Sequence, residues 1–324
     1  MTRAEIARAT IALATLALAG AATAQTYPTK PVKLVVPFAP GGTSEVVARL
    51  VAAEMSKGLG QQMIVENKAG GAGNIAMQEV ARAEPDGYTL ILGHFGTLAV
   101  NPFMFAKLPY DANKDFAPIS LLAKVPNIFV VNAAVPAKDL KEFVALAKAK
   151  PGTLTYGSAG NGSAGHLAFE YLKLVAGIDV VHVPYKGTGP QITDLIGGRT
   201  DASSAGTPPL LPHVKSGKVR AIAVGTPKRL PSLPDTPTVI EQGYKGFETT
   251  QWYGLLAPAK TPQPVIKRLA DEAVKATKAP AVQKRFAEDD ATAFGSTPAE
   301  FAAFIKEEQA RWGEVVRKAK LKAD

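Results

Sequence analysis

Four short segments rich in glycine, serine and threonine are the part of this sequence best suited to binding chemistry. Each stands between an apolar run and an amphipathic segment, at Pro40–Thr43, Ser158–Gly165, Tyr185–Gly189 and Ser204–Thr207. Such a segment joins a strand to a helix, whose first turn offers unpaired backbone N–H groups and a partial positive charge. Glycine lets the backbone approach a ligand closely, and a hydroxyl adds a donor. The four together predict a site for a small anion such as a carboxylate, although one alone is more typical of a capped tight turn.

The candidate contact residues follow from this arrangement. In open α/β sheets ligands bind at the carboxyl ends of the strands, where these segments are expected to lie. The candidates are Phe38, Gly41, Gly42, Thr43, Ser158, Ala159, Gly162, Ser163, His166, Tyr185, Asp201 and Thr207, with His94 and Thr97 after a strand predicted at 88–93. Aromatic residues pack in cores more often than they contact ligands, so Phe38 and Tyr185 are candidates because of their location. Trp252 and Tyr253 are assigned to packing.

The same residues admit two other interpretations. Gly160–Gly165 matches the spacing of a dinucleotide-binding fingerprint, with Asp179 near the distance of its acidic residue. That acidic residue normally ends a strand, whereas Asp179 precedes the strand predicted at 180–184. Ser163 and His166 could serve an exported hydrolase, but they share one helical turn in which Ser163 is better explained as the N-cap. We expect a binding protein rather than an enzyme, with this hydrolase as the alternative.

Composition limits the other classes of function. The chain has no cysteine, and its four histidines, at positions 94, 166, 182 and 213, lack metal-ligand spacing. We therefore expect no metal and no cofactor. The formal charge is +9, but the 37 Lys and Arg residues are dispersed without a basic block interleaved with aromatics. This excludes a typical nucleic-acid surface, while a mild positive excess attracts small anions.

Residues 1–24 have the composition of a secretory signal peptide. Arg3 and Arg8 precede an apolar run at 11–21, and small residues up to Ala24 provide a cleavage site. The run is shorter than the roughly 20 apolar residues that a membrane anchor needs. We expect cleavage after Ala24 and a periplasmic protein.

The remaining chain alternates short apolar runs with amphipathic segments, a pattern that predicts α/β architecture. Strands are expected at 33–38, 63–66, 88–93, 154–157, 180–184, 201–204 and 219–224, and helices from about residues 43, 74, 163, 190, 208 and 298. Thr43 or Ser44 is expected to cap the first of these helices, and Thr297 with Glu300 the last. The apolar run Ile119–Val131 is expected to lead from one lobe into a second, and 253–257 to return. We predict lobe 1 at 25–124 plus 250–324 and lobe 2 at 125–249.

The order of short motifs along the chain resembles the Bug-type family, the extracytoplasmic solute receptors of tripartite tricarboxylate transporters. The motifs include Tyr27-Pro-Thr-Lys-Pro31, Val36-Pro-Phe-Ala-Pro-Gly-Gly42, Pro85-Asp-Gly-Tyr-Thr-Leu90, Gly157-Ser-Ala-Gly160, Val183-Pro-Tyr-Lys-Gly187, Leu233-Pro-Asp-Thr-Pro-Thr238 and Gly254-Leu-Leu-Ala-Pro258. Each is weak alone, but their order over nearly the whole mature chain is specific. The sequence departs from the family pattern at Glu45, where aspartate is usual, and at Lys68-Ala69, where Arg-Pro is common.

This resemblance implies a fold, a ligand class and partners. The family has the two-lobed periplasmic-binding-protein fold (type II, Venus flytrap), each lobe a mixed sheet flanked by helices. It binds small carboxylates in the interlobe cleft, which would place contacts on Phe38–Thr43, including Ala39, and on Ser158–His166. The implied partners are an organic acid (mono- or dicarboxylic, aliphatic, aromatic or an amino acid) and the membrane subunits of such a transporter. We expect a monomer, and a ligand sensor not coupled to transport stays open as an alternative.

Overall fold

Two sheets that share one long strand organise the part of the chain described by the computed structural model, residues 27–318 and 321–322. The strands there are β1 (Val32–Val36), β2 (Met63–Asn67), β3 (Thr89–His94), β4 (Phe116–Asn132), β5 (Thr155–Ser158), β6 (Val181–Pro184), β7 (Ala202–Gly206), β8 (Val219–Val224), β9 (Thr250–Pro258) and β10 (Thr292–Ala293). β4 pairs with β9 up to Pro126, and with β7 and β8 from Asn127 or Ile128 onward. Proline has no N–H to donate, and Pro126 stands where the ladder changes partners. The apolar run Ile119–Val131, which contains Pro126, is therefore part of a single strand that leads from one lobe to the other.

Each sheet is the centre of one lobe. In lobe 1 the order is β2-β1-β3-β9-β4, with β10 also beside β4. β1 is parallel to β2 and β3, whereas β9 is antiparallel to β3 and β4. In lobe 2 the order is β4-β7-β5-β6, with β5 parallel to β6 and β7, and β4 antiparallel to β7 and β8. The predicted two-lobed fold with mixed sheets is confirmed, whereas the exact lobe boundaries stay a prediction.

Helices pack on both faces of each sheet. They are α1 (Thr43–Leu59), α2 (Asn74–Ala81), α3 (Asn101–Met104), α4 (Leu140–Ala149), α5 (Ala164–Ala176), α6 (Thr188–Ile196), α7 (Thr207–Lys215), α8 (Gln263–Lys278), α9 (Pro280–Glu288) and α10 (Pro298–Lys318). Neighbouring strand residues point to opposite faces. Leu34 of β1 therefore belongs to a core with α1 and α8, and Val35 to a core with α2 and α10. In lobe 2, Phe129 and Ile128 of β4 divide in the same way between two cores.

Of the two helix caps predicted from local sequence, one is confirmed and one is wrong. At the start of α10 the Glu300 N–H donates to Thr297 Oγ1 at 3.2 Å, and the Thr297 N–H donates to Glu300 Oε2 at 2.8 Å, which confirms the predicted capping box. The prediction that Thr43 or Ser44 caps α1 was wrong, because Gly42 is the N-cap and no side chain caps the helix. α3, α4, α8 and α9 were not predicted.

The predicted signal peptide, residues 1–24, lies outside the described residues. Among the residues that the structure describes, no helix combines the length and the apolar character needed to cross a membrane.

Candidate functional site: a pocket between the lobes

Three of the four glycine-rich segments line one pocket between the two lobes, and the residues that flank the fourth, Phe38 and Ser44, line it as well. The pocket is narrow, with a cavity volume of about 20 Å³. It is lined by Phe38, Ser44, His94, Gln251 and Tyr253 from lobe 1 and by Ala159, Ser163, Ala164, Gly165, Thr188, Ser204, Ala205 and Gly206 from lobe 2. None of these lining residues is a lysine, arginine, aspartate or glutamate. Any charge on a ligand would therefore be balanced by backbone dipoles and neutral donors.

Four helices begin at this pocket. Ser44 lies in the first turn of α1, Ala164 and Thr188 are the first residues of α5 and α6, and Gly206 is the N-cap of α7. The first N–H groups of each helix have no partner within the helix, and each helix start carries about half a positive charge. Four such ends around one small space create a strongly anion-attracting pocket.

Two of the polar lining residues, Ser204 and Gln251, are buried. Ser204 is fully buried, and its Oγ has no hydrogen-bond partner among the described residues. Buried hydroxyls are normally paired, so this atom is a candidate for a bond to a ligand. The Gln251 amide is oriented by its Nε2, which donates to Asn127 Oδ1 at 2.8 Å, while its Oε1 accepts from the Tyr253 hydroxyl.

His94 is a neutral donor in the wall of the pocket. Its ring lies edge-on to Phe38 at 4.9 Å between centroids and 5.4 Å from Tyr253. Burial lowers the pKa of His94 to about 3, so the ring is neutral near pH 7. The Nδ1 accepts from the Gly96 N–H at 2.9 Å, which leaves the proton on Nε2.

His166 shapes the Ser158–Gly165 turn rather than lining the pocket. Its Nδ1 accepts from the Gly162 N–H at 3.2 Å, and its ring stacks on His182 at 4.3 Å. Burial, and then the positive charge of Lys173, lower the pKa of His166 to about 4. The bond to Gly162 requires the neutral ring, so this turn depends on an unprotonated histidine.

Several predicted site residues lie outside the pocket. The hydroxyl of Thr97 donates to the His94 carbonyl at 3.0 Å, and Ser158 Oγ accepts from the Gly160 N–H at 3.1 Å. The Thr207 hydroxyl donates to the Asp289 carbonyl.

Asp201 and Tyr185 are also placed elsewhere. Asp201 was predicted at the wrong end of its strand: it precedes β7, and its Oδ2 accepts from the N–H and hydroxyl of Thr155 at 2.7 and 2.8 Å. Parallel β5 and β7 put this bond at the edge opposite to the pocket. Tyr185 donates to Asp194 at 2.8 Å and lines a second cavity of about 330 Å³, which adjoins the pocket at Phe38 and Ala159.

Other predicted residues form a contact between the lobes. The Ala39 N–H donates to the Lys186 carbonyl at 3.1 Å. A Cβ placed on Gly41 would lie 3.4 Å from Gly189 Cα, and one on Gly42 would lie 3.1 Å from Thr188 Oγ1. We call residues 39–41 and 186–189 together the interlobe seam.

Two further candidates, Thr43 and Gly162, also lie where the lobes meet. Thr43 contacts Gly206, since a Cβ there would lie 2.5 Å from Thr43 Oγ1. Gly162 faces Asn101, whose Oδ1 would lie 2.4 Å from an added Cβ. Lobe 1 and lobe 2 are thus in direct contact beside the pocket.

Sequence reasoning missed several lining residues. Ser44, Thr188 and Ser204 lie in or beside the predicted segments but were not chosen, because the sequence does not show which residue of a turn faces inward. Tyr253 was assigned to packing, whereas it lines the pocket, and Gln251 was not considered. The sequence did offer one indication for Gln251, since a polar amide stands there beside the apolar run of β9.

Glu45, where the family usually has aspartate, supports the first turn from outside the pocket. Its Oε2 accepts from the Gly41 N–H at 2.6 Å, and its Oε1 pairs with Arg49 at 2.7 Å. Burial raises the pKa of this carboxyl, but the Gly41 bond and the Arg49 charge outweigh burial and lower it. The longer side chain thus remains an anion tied to the loop backbone.

The two competing interpretations of the Gly160–Gly165 segment find little geometric support. Ser163 is the N-cap of α5, with its Oγ accepting from the His166 N–H at 3.3 Å, while the His166 ring accepts from Gly162. This is a helix cap rather than a nucleophile beside a base. Asp179 precedes β6, at the strand end away from the pocket. Within residues 27–318 and 321–322 no group of three or more potential metal ligands is found.

Fold and site together define a two-lobed solute-binding protein with an anion-attracting pocket between its lobes. The sequence belongs to a known family: residues 47–321 match the tripartite tricarboxylate transporter family receptor. BugT of Bordetella pertussis (strain Tohama I) is 36% identical over 303 residues, covering 93% of each chain.

Solved structures agree with this assignment. The periplasmic binding protein BugD is 36% identical with a TM-score of 0.89, covering 91% of this chain and 99% of its own. An R. palustris protein with adipate is 35% identical with a TM-score of 0.89 and covers 91% and 99% of the two chains. MatC from Rhodopseudomonas palustris with bound malate is 36% identical with a TM-score of 0.86 and covers 90% and 100%. The chain is therefore a receptor of the Bug type, as the motif order predicts.

The neutral state of His166 predicts a pH dependence of stability. The pKa of this ring is about 4 in the folded protein and about 6.5 in an unfolded chain. Between these values the unfolded chain binds more protons, so stability is full above pH 6.5 and falls as the pH drops toward 4. His166→Asn keeps an acceptor for Gly162 but does not titrate. We expect its free energy of unfolding in urea to fall less between pH 7 and 4.5 than that of the wild type, by about 1–3 kcal/mol.

His213→Asn provides the control for this comparison. His213 lies in the last turn of α7 and is only partly buried. Burial and the charge of Lys218 lower its pKa as well, but its weaker burial means that its replacement should change the pH dependence less than His166→Asn does. A His166→Asn protein with the wild-type pH dependence would contradict the assignment.

Proposed function

We propose that this protein captures a small organic acid in the periplasm and delivers it to the membrane subunits of a tripartite tricarboxylate transporter. The observation that carries the proposal is the meeting of four helix N-termini at a pocket without a charged side chain. A carboxylate is a small anion that such helix ends and neutral donors bind well. Because no aspartate or glutamate lines the pocket, nothing there repels it.

The proposed contacts combine predicted and newly identified residues. Phe38, His94, Ala159 and Ser163 were predicted and line the pocket, and Ser44, Thr188, Ser204, Gly206, Gln251 and Tyr253 join them. We propose that the helix starts and the Ser204 hydroxyl hold the carboxylate and that Phe38 packs against the carbon chain. Adipate and malate are bound by two family members and supply the first probes.

Binding of these acids is the central prediction. We expect adipate, malate or a related mono- or dicarboxylate to raise the melting temperature of the purified protein. At 100 times its dissociation constant a ligand adds about 2.7 kcal/mol of stability, which thermal unfolding would register. Calorimetry gives the affinity, and NMR of the recovered acid is expected to find it unchanged. If no acid with two to eight carbons shifts the melting temperature, the proposal fails, and turnover of a bound acid or ester favours the hydrolase alternative.

Ser204→Ala tests the site itself. The hydroxyl has no partner among the described residues, so its removal should cost the free protein little stability. A lost hydrogen bond to a charged ligand is worth about 1.5–3 kcal/mol. We therefore expect calorimetric affinity for the acid to fall about 10- to 100-fold.

Ser203→Ala is the matched control. Ser203 is the preceding residue of β7, is equally buried and hydrogen-bonds to Gln191 rather than lining the pocket. Its replacement should lower the melting temperature and leave the affinity nearly unchanged. The reverse pattern in the two variants would exclude Ser204 from the site.

Export and assembly complete the proposal. The basic start, apolar run and small residues of positions 1–24 support removal of a signal peptide, and the protein is proposed to act as a monomer. N-terminal sequencing of protein from the periplasmic fraction is expected to begin at Gln25. Protein that retains its basic N-terminus in the membrane fraction would contradict export by this route.

A further inference from the structure

The interlobe seam is a place where backbone meets backbone with almost no side chain between. The Ala39 N–H of lobe 1 donates to the Lys186 carbonyl of lobe 2 at 3.1 Å. A Cβ on Gly187 would lie 2.8 Å from the Cβ and 2.9 Å from the N of Ala39, and one on Gly189 would lie 2.5 Å from the Pro40 carbonyl oxygen. Real Cβ atoms do not approach backbone atoms this closely. The seam can close only because both positions lack a side chain.

Neither glycine is required by its own backbone conformation. Gly187 has a φ of 160°, which is extended backbone open to any residue. Gly189 lies in the first turn of α6 and is not among the residues with positive φ. The three atoms nearest to each added Cβ all belong to lobe 1. An alanine at either position would therefore fit lobe 2 taken alone, and its conflict arises only with the opposite lobe.

The seam borders the pocket directly. Thr188 lies between the two glycines and lines the pocket. If the seam is held open, water reaches the helix starts, and the attraction between their N–H groups and an anion weakens because water screens it. Closing the seam is thus coupled to the strength of binding.

We propose that Gly187 and Gly189 set how far the two lobes close, by allowing the Ala39–Lys186 hydrogen bond to form beside the bound ligand. This proposal rests on the proposed function only in assigning an acid to the pocket. Other bonds between the lobes lie elsewhere: Thr207 donates to the Asp289 carbonyl, and the Ser232 hydroxyl to Asp290. These bonds can hold the lobes together at the α9 side when the seam is forced apart.

The test compares Gly187→Ala and Gly189→Ala with Gly197→Ala. Gly197 follows the last residue of the same helix with a φ of −74°, and its added Cβ would meet the Thr193 carbonyl of its own lobe at 3.4 Å, an ordinary contact. With adipate or malate, whichever binds the wild type, we expect calorimetric affinity to fall at least tenfold in both seam variants. The control should bind as the wild type does. In the absence of ligand, the wild type, the two seam variants and the control should have similar melting temperatures.

A distance measurement separates closure from local damage. The chain has no cysteine, so spin labels on Lys107→Cys in lobe 1 and Lys148→Cys in lobe 2, both exposed, mark only those sites. Double electron–electron resonance should show a shorter distance when the acid binds the wild type and the control. In the seam variants we expect the longer distance to persist.

Each outcome decides the proposal. Seam variants that bind and close like the wild type overturn it, and so do variants that lose affinity while reaching the short distance. Unfolding of both seam variants also overturns it, because the conflict would then lie within lobe 2. If the wild type binds no acid, the proposed function fails, while the closure proposal is judged from the free proteins. In that case the seam variants must lack the short-distance population that the free wild type and control show in their distance distributions, and equal distributions refute closure.

Discussion

Asn127, the residue at which β4 enters the second sheet, is the connection on which the geometry of the pocket depends. Its N–H donates to the Thr249 carbonyl at 3.4 Å, its Oδ1 accepts from Gln251 at 2.8 Å, and its Nδ2 donates to the Ala164 carbonyl at 3.4 Å. One buried amide thus contacts β9, which carries lobe-1 lining residues, and the start of α5, which carries lobe-2 lining residues. Rotation of the lobes about this point must change the distance between the two walls. The pocket is consequently a property of the pair of lobes and not of either one.

Because no charged side chain lines the pocket, binding of an anion depends strictly on the relative position of the two lobes. A lysine or arginine could attract an anion through several ångströms of water, because its full charge acts over a Debye length of about 8 Å. The partial charges at helix starts fall off within the first turn. They become effective only when the ligand touches the N–H groups and water is excluded. The close approach of the two backbones at Ala39 and Lys186 closes the pocket and so excludes this water. The overall +9 charge can raise the rate of encounter with an acid, but it does not define where the acid binds.

Much of the fold could be predicted from the sequence, because the features that determine it are short local motifs or periodic patterns of apolar residues. Apolar runs of strand length, a proline at the change of sheets and the Thr297–Glu300 capping box each predict one element without knowledge of the rest. The four glycine-rich segments likewise predicted which loops surround the pocket. The individual contacts were less accessible. Asp201 was misplaced because it stands at the start of its strand, opposite to the carboxyl end at which ligands bind. Tyr253 was misassigned because a buried aromatic residue has the same sequence pattern in a core and in a pocket wall.

The glycines show most clearly where sequence reasoning ends. Gly41 has a φ of 84° and Gly162 one of 72°, so their presence follows from the turn that each makes. Gly187 and Gly189 have no such requirement, and in the sequence they are indistinguishable from the first pair. Only the position of the other lobe, more than a hundred residues away in the chain, explains why a side chain is absent there. Some glycines have an ordinary backbone conformation, but a Cβ added to them would lie within 3 Å of the other lobe; such a glycine is required by the closure of the lobes. A glycine with positive φ is required by the turn in which it lies. The two kinds carry different information although a sequence writes them with the same letter.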